Sequence, residues 1–162
     1  ACGNAWFVKH VVYAANADKE MQMLANFTPK DTAIVDQQYK PLIAGKQFAG
    51  DTSAAISLTA YNPDHLTYQT ASASWQLTVF SEIYYNKGWK MLIDGNEQSY
   101  FRADYLLRAA MIPAGKHKVE FIFHPASYYT GEKISFAGSA LLLLALGGAA
   151  YLEWKKKAVT KN

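Results

Sequence analysis

The sequence predicts a mainly β protein: an antiparallel β-sandwich with a short N-terminal helix and one C-terminal transmembrane helix. Three observations predict it. From Asp51 to Pro125 apolar residues alternate with polar ones at period two, as half-buried strands do. Turn signals interrupt that alternation at short intervals. A nineteen-residue stretch without charge, Ile134 to Leu152, closes the apolar part of the chain.

The first fifty residues read as a lead-in that packs on the sandwich. Trp6 to Tyr13 has strand character. Asn16 or Asp18 can cap a helix that runs to about Phe27, with Met21, Leu24 and Ala25 on one face, and Thr28-Pro29 ends it. Thr32 to Val35 is a short strand, and Tyr39 to Gly50 a connecting loop. The sandwich proper is placed at residues 51–127. Ile56 and Leu58 alternate with Ser57 and Thr59. Trp75, Leu77, Val79 and Ile83 alternate with Gln76, Thr78 and Glu82. Trp89, Met91 and Ile93 keep the rhythm, as do Val119, Phe121 and Phe123. The turns are Asn62-Pro63-Asp64, Asn86-Lys87-Gly88, Asp94-Gly95-Asn96 and Pro113-Ala114-Gly115. Asp-Gly between alternating strands is a strong hairpin signal, because glycine supplies the positive φ that twist-matched turns require. Roughly seven short strands of this spacing suit a sandwich.

The membrane helix with its interfacial aromatics is placed at residues 128–154, and a basic tail at 155–162. Nineteen residues at 1.5 Å rise make roughly 29 Å, the hydrocarbon thickness of a bilayer. Tyr128 and Tyr129 precede the span, and Tyr151 and Trp154 close it, which matches aromatic belts at both interfaces. The other reading of the stretch is a buried core helix. Lys155, Lys156 and Lys157 set the orientation: the tail is cytoplasmic and residues 1–133 are extracytoplasmic. Gly138, Gly147 and Gly148 give the helix small-residue faces that permit close approach of another helix. The chain opens on Ala1-Cys2-Gly3-Asn4. An exported domain with that start implies a removed signal or a longer membrane protein upstream, and one Ala before Cys2 is too little to signal lipidation.

Composition narrows the function classes. Of 162 residues, 51% are apolar and 18% charged, which excludes a disordered chain. One cysteine excludes a disulfide framework. The net charge of +3 resides in residues 153–162, so the rest of the chain is neutral and offers no basic face to a nucleic acid.

No catalytic motif, cofactor fingerprint or metal signature stands out. His117 and His124 are seven apart, which sends them to opposite faces of one strand and prevents a shared metal. Glu82, Asp94, Glu97 and Asp104 lie near turns; two of them could serve as acid and base, or all can cap turns and face water. The candidate ligand-binding residues are aromatic: Tyr84, Tyr85 and Trp89 cluster about a turn, followed by Tyr100, Phe101 and Tyr105. Exposed aromatic rings on a sandwich stack against the apolar faces of sugars, whereas buried ones fill the core. Strand parity favours the core for Trp89, while Tyr84 falls on the Glu82 side of its strand.

An ordered set of motifs carries a family resemblance. It comprises Ser81-Glu82-Ile83-Tyr84-Tyr85-Asn86-Lys87-Gly88-Trp89-Lys90, Ile93-Asp94-Gly95, Leu107-Arg108-Ala109 and Ile112-Pro113-Ala114-Gly115-Lys116-His117-Lys118-Val119-Glu120-Phe121, with Pro125 before the apolar run. Gly3-Asn4-Ala5-Trp6-Phe7-Val8 adds to it. The whole resembles the C-terminal end of the YfhO family of bacterial polytopic membrane proteins. Many relatives carry Pro before Gly-Trp, where this chain has Asn86-Lys87. The resemblance implies a protein of the cytoplasmic membrane similar to GT-C-type glycosyltransferases, which take sugars from polyprenyl-phosphate carriers on the outer side. Some members are linked to glycosylation of cell-surface polymers such as lipoteichoic acid. It puts the catalytic acid in an early extracytoplasmic loop outside this chain, so no catalytic residue carries over.

The implied role is a non-catalytic extracytoplasmic module with the last membrane span, which positions a polymer acceptor or a lipid-linked sugar. The partners implied are the rest of its own membrane domain, the lipid bilayer and a carbohydrate polymer or lipid-linked sugar; no cofactor is implied. The alternative is a structural or assembly module of a polytopic membrane protein, without ligand.

Overall fold

The computed structural model describes residues 2–48 and 50–159, with side chains left undescribed at 126, 127, 129 and 150–159. It divides into two compact units, residues 1–124 and 125–162.

Among its described residues the first unit has eleven strands in two sheets. The strands are β1 (Ala5–Val8), β2 (His10–Ala14), β3 (Thr32–Asp36), β4 (Ala55–Asn62), β5 (His65–Ser72), β6 (Gln76–Ile83), β7 (Trp89–Ile93), β8 (Asn96–Gln98), β9 (Phe101–Ala103), β10 (Leu107–Ile112) and β11 (Gly115–Phe123). One sheet has the order β1-β6-β10-β9-β3-β2, the other β4-β5-β11-β7-β8. Pairings are antiparallel except β2 with β3, which run parallel in register His10 opposite Thr32 to Ala14 opposite Asp36. A parallel pair needs a crossover. Helix α1 (Ala17–Met23) provides it, capped by Asn16, whose side chain accepts from the Lys19 amide at 3.0 Å.

The six-stranded sheet is buried on both faces, and this departs from the expected one-sided alternation. In β6, Leu77 and Val79 enter one apolar cluster with Ala109 and Met111 of β10. Phe80 enters a second, with Ala110 and Ile112. The second cluster lies against Tyr68, Met91, Val119 and Phe121 of the other sheet. The first is covered by the segment read as a loop: Tyr39, Leu42 and Phe48 pack on it, and α2 (Lys40–Ile43) buries Ile43. Gln76 and Thr78 are therefore buried although polar, while Ile83 is exposed. The β6–β10 register shifts between Leu107 and Arg108, which releases Ile83 from the buried pattern.

Helix α1 also differs from expectation. Met21 and Ala25 are exposed, and the residue it buries is Glu20. Glu20 receives the Arg102 guanidinium at 2.9 Å and the Tyr105 amide at 2.8 Å. An ion pair with a backbone donor, rather than an apolar stripe, sets the docked face.

Two glycines serve turns. Asp94 (φ +50°) and Gly95 (φ +81°) form the two-residue loop between Ile93 and its partner Asn96, a turn with positive φ at both central positions. Gly115 (φ +124°) starts β11, where a Cβ would meet His117 Nε2 at 3.0 Å.

The second unit carries α3 (Ala126–Val159). Its twenty-residue stretch Thr130–Ala149 has mean hydropathy 1.3, is long and apolar enough to cross a membrane, and has no buried part. Ile134, Phe136, Leu141, Leu142, Leu143, Leu144 and Leu146 are all exposed. The stretch begins four residues before the span read from the sequence and so takes in Glu132 and Lys133. Tyr128 is exposed; the side chains of Tyr129, Tyr151, Trp154 and Lys155 to Lys157 lie outside those described. A Cβ at Gly138, Gly147 or Gly148 meets open space.

Candidate functional site

The aromatic turn after β6 is built around Tyr100. Its hydroxyl donates to the Tyr85 carbonyl at 2.9 Å and lies 3.4 Å from the Trp89 carbonyl, so one side chain ties both ends of the turn. Burial pushes the Tyr100 hydroxyl pKa upward, which keeps it protonated as a donor. Tyr84 is half-buried, edge-on to Tyr100 at 5.5 Å and to Tyr39 at 6.4 Å. Tyr39 stacks on Phe101, and burial together with a hydrogen bond to Tyr84 pushes its hydroxyl up to about 12. Tyr84 is thus one ring of an aromatic run that leads into the core.

Trp89 is half-buried as well. The Arg108 guanidinium lies 4.2 Å from the centre of its ring, and Phe123 packs beside it at 5.2 Å. Arg108 is buried between Trp89 and Phe121 and donates through Nε to the Ile83 carbonyl at 3.0 Å. A desolvated guanidinium over an indole is a strong cation–π arrangement, and it occupies one face of Trp89.

Tyr84 and Trp89 share a groove of about 350 Å³ with Asn86, Gln98, Ser99 and Tyr100, and Tyr85 is outside its lining. Lys90 and Glu97 also line it as an exposed ion pair at 2.7 Å. Gln98, Ser99 and Leu42 belong also to a neighbouring cleft of about 430 Å³. That cleft has Trp75 and Phe101 as aromatic walls, and Lys46, Asn96 and His117 add polar groups. Lys46 lies 5.1 Å over the Trp75 ring and donates to the Leu42 carbonyl at 3.0 Å. Both volumes fall in the range of small-ligand sites.

The Asp-Gly turn and the Pro-Ala-Gly-Lys-His segment, far apart in sequence, meet at the cleft. Asp94 contacts His117 Nδ1 at 2.6 Å and accepts the Lys118 amide at 2.9 Å, and His117 Nε2 lies 3.0 Å from the Ala114 carbonyl. Both ring nitrogens therefore face acceptors, an arrangement that imidazolium satisfies. The hydrogen bond to Asp94 raises the His117 pKa, and the same bond lowers that of Asp94.

Asp104 accepts the Ile34 amide at 2.8 Å through one oxygen, while the other is buried without a partner. Burial, and then the charge of Glu20, push its pKa up to about 6. Among the described residues no three His, Cys, Asp or Glu side chains converge as a metal site requires. What the grooves offer chemically is aromatic surface beside amide, hydroxyl and ammonium groups. Such surfaces hold a polyhydroxylated ligand by stacking and hydrogen bonds. The sequence places Tyr84, Tyr85 and Trp89 about one turn, and the structure brings Tyr84 and Trp89 into the groove lining and leaves Tyr85 outside it. Tyr39, Lys46 and Trp75 become neighbours of these grooves only in the fold, which lays residues 37–48 against β6 and pairs Phe48 with Trp75.

The chain matches the family described as bacterial membrane protein YfhO over residues 27–135, well over half its length. This chain belongs to the YfhO family. The match takes in β3 to β11 and the start of α3, so the grooves lie within YfhO sequence. Neither the curated proteins nor the solved structures hold a match to it. YfhO membership and the apolar exposed α3 together associate the protein with a membrane.

Proposed function

We propose that this chain is the extracytoplasmic accessory module, with the last membrane span, of a protein that glycosylates cell-surface polymers. The groove at Tyr84 and Trp89 positions the sugar of an acceptor polymer or of a lipid-linked donor, while catalysis occurs elsewhere in the full-length protein. The observation that carries the reading is the groove itself: an aromatic wall at Tyr84 and Trp89 faces amide and hydroxyl groups at Asn86, Gln98 and Ser99. Lys155 to Lys157 support the orientation, with residues 1–133 outside the cytoplasm. Tethering to the membrane compensates for a shallow site, because it raises the local concentration of a weak binder.

Replacement of Tyr84 and Gln98 by Ala in the full-length protein is expected to reduce polymer glycosylation at unchanged protein level. Tyr85→Ala, outside the groove, is expected to reduce it less. Unchanged glycosylation in the Tyr84→Ala/Gln98→Ala variant overturns the positioning role.

One observation favours a second reading, a bracing module without ligand. Arg108 and Phe123 already pack against Trp89, so the aromatic cluster has a structural occupation of its own. On that reading the groove variants glycosylate normally, and Gly138→Leu or Gly147→Leu disrupts assembly of the membrane domain.

A further inference from the structure

Among the described residues of the first unit, six large apolar side chains are exposed: Val12, Met21, Tyr61, Ile83, Tyr85 and Leu106. Four of them occur at one end of the sandwich, the end where the chain leaves it. The strand pairing shows this. β11 ends with Phe123 opposite Trp89 and Ile122 opposite His65. The Phe123 amide donates to the Asp64 carbonyl at 2.8 Å, and the His124 amide to the Gly88 carbonyl at 2.6 Å. The β4–β5 turn, which follows Tyr61, and the β6–β7 turn, which carries Tyr85, therefore flank His124. Ile83 ends β6 opposite Leu107, and the Tyr84 amide donates to the Leu106 carbonyl at 2.7 Å, which puts Ile83 and Leu106 at the same end. Tyr61, Ile83, Tyr85 and Leu106 are between 49% and 65% exposed there. Lys87 is exposed on the same turn.

The covalent chain says what such an end is near. His124 closes the folded unit and Thr130 opens the apolar stretch. Six residues, even fully extended, separate them by no more than about 21 Å. If α3 crosses a bilayer, the exit end of the sandwich is tethered within that reach of the hydrocarbon boundary, whatever the orientation of either unit. Tyrosines with an apolar ring and a polar tip, aliphatic side chains and a lysine are the residues that partition into the headgroup layer.

We infer that Tyr61, Ile83, Tyr85 and Leu106 form a membrane-contact face that rests in the headgroup layer of the bilayer α3 crosses. The inference depends on α3 as a membrane span and not on any sugar in the groove. It gives the exposed Tyr85 ring an occupant distinct from the groove. It also puts the mouth of that groove, at Tyr84 and Asn86, beside the lipid surface.

The test is a fluorescent environment-sensitive label on single cysteines, in the full chain with Cys2→Ser, reconstituted into nanodiscs of phosphatidylethanolamine and phosphatidylglycerol. Labels are attached after Tyr85→Cys, Leu106→Cys, Lys116→Cys or Leu143→Cys. Lys116 lies at the opposite end of β11, roughly 24 Å along the strand from Phe123. The labels at 85, 106 and 143 are expected to shift to the blue and to lose most of their emission to nitroxide-bearing lipids, while the label at 116 keeps its own. Labels at 85 and 106 that behave like 116, with 143 quenched, overturn the inference and leave the span intact. Labels at 85 and 106 that shift to the blue yet escape lipid quenching overturn it in favour of a protein occupant, such as a second copy. A label at 143 that escapes quenching overturns the span and the face together.

Discussion

Asp104 is held where a carboxylate is uncomfortable. Its backbone has φ +50°, one oxygen accepts the Ile34 amide, and the other is buried without a partner. Because its folded pKa of about 6 exceeds the ordinary 3.8, the folded protein keeps a proton that the unfolded chain releases between those values. Stability therefore falls as pH rises through that window. Asn accepts the same amide, tolerates positive φ and carries no charge. Asp104→Asn is expected to stabilise the protein at pH 7 by about 1–2 kcal/mol and to flatten the pH slope, as read by denaturant unfolding of the full chain in detergent. Loss of stability at every pH contradicts this. Glu20 is the opposite case: it is the buried member of its pair, and its removal takes a charged acceptor from the half-buried Arg102 and from the Tyr105 amide. Glu20→Ala is expected to cost about 1.5–3 kcal/mol in the same assay, because the Arg102 charge left behind still reaches water and Asp36.

His117 and Asp94 couple the β7–β8 hairpin to β11, and both members titrate. The His117 contribution is full below its ordinary 6.5 and disappears as pH rises through the elevated folded value. The Asp94 contribution is present above its ordinary 3.8 and disappears as pH falls through the lowered folded value. The clasp is thus strongest in mildly acidic conditions. His117→Ala is expected to cost about 1 kcal/mol at pH 6, discounted because Asp94 is half exposed, and much less at pH 9. An equal cost at both pH values excludes the charged form as the source.

At the scale of elements, what was legible in the sequence is what depends on neighbours in the chain. The Asp94-Gly95 hairpin, the Asn16 cap and the apolar stretch of α3 follow from local chemistry, and the structure contains each. The parallel β2–β3 pair, the two-sided burial of β6 and the cover by residues 37–48 depend on partners distant in sequence, so alternation alone could not reveal them. The docked face of α1 is hidden from the sequence for the same reason: its anchor is Arg102 on β9, eighty-two residues away. The candidate site divides likewise. Tyr84 and Trp89 were readable from the turn between two strands, whereas Trp75 and Lys46 become neighbours only once Phe48 pairs with Trp75. The α1 cap gives a prediction at this scale. Asn16→Ala removes the acceptor for the Lys19 amide and is expected to cost about 1 kcal/mol, with α1 amides exchanging faster than those of β6.

For the molecule as a whole, the two units divide the work. Residues 1–124 build a folded body with grooves and one apolar end, and α3 supplies a stretch whose exposed Leu141 to Leu144 suit lipid. The proposed role needs the folded body outside the cytoplasm and the lysine tail inside. The most direct measurement is cysteine labelling of the full-length protein in intact cells with a membrane-impermeant maleimide, in a Cys2→Ser background. Lys116→Cys is expected to label from outside, and Lys161→Cys only after permeabilisation. A Lys116→Cys protein that labels only in opened cells puts the folded body in the cytoplasm, and contradicts both the topology and the proposed contact with exported polymer.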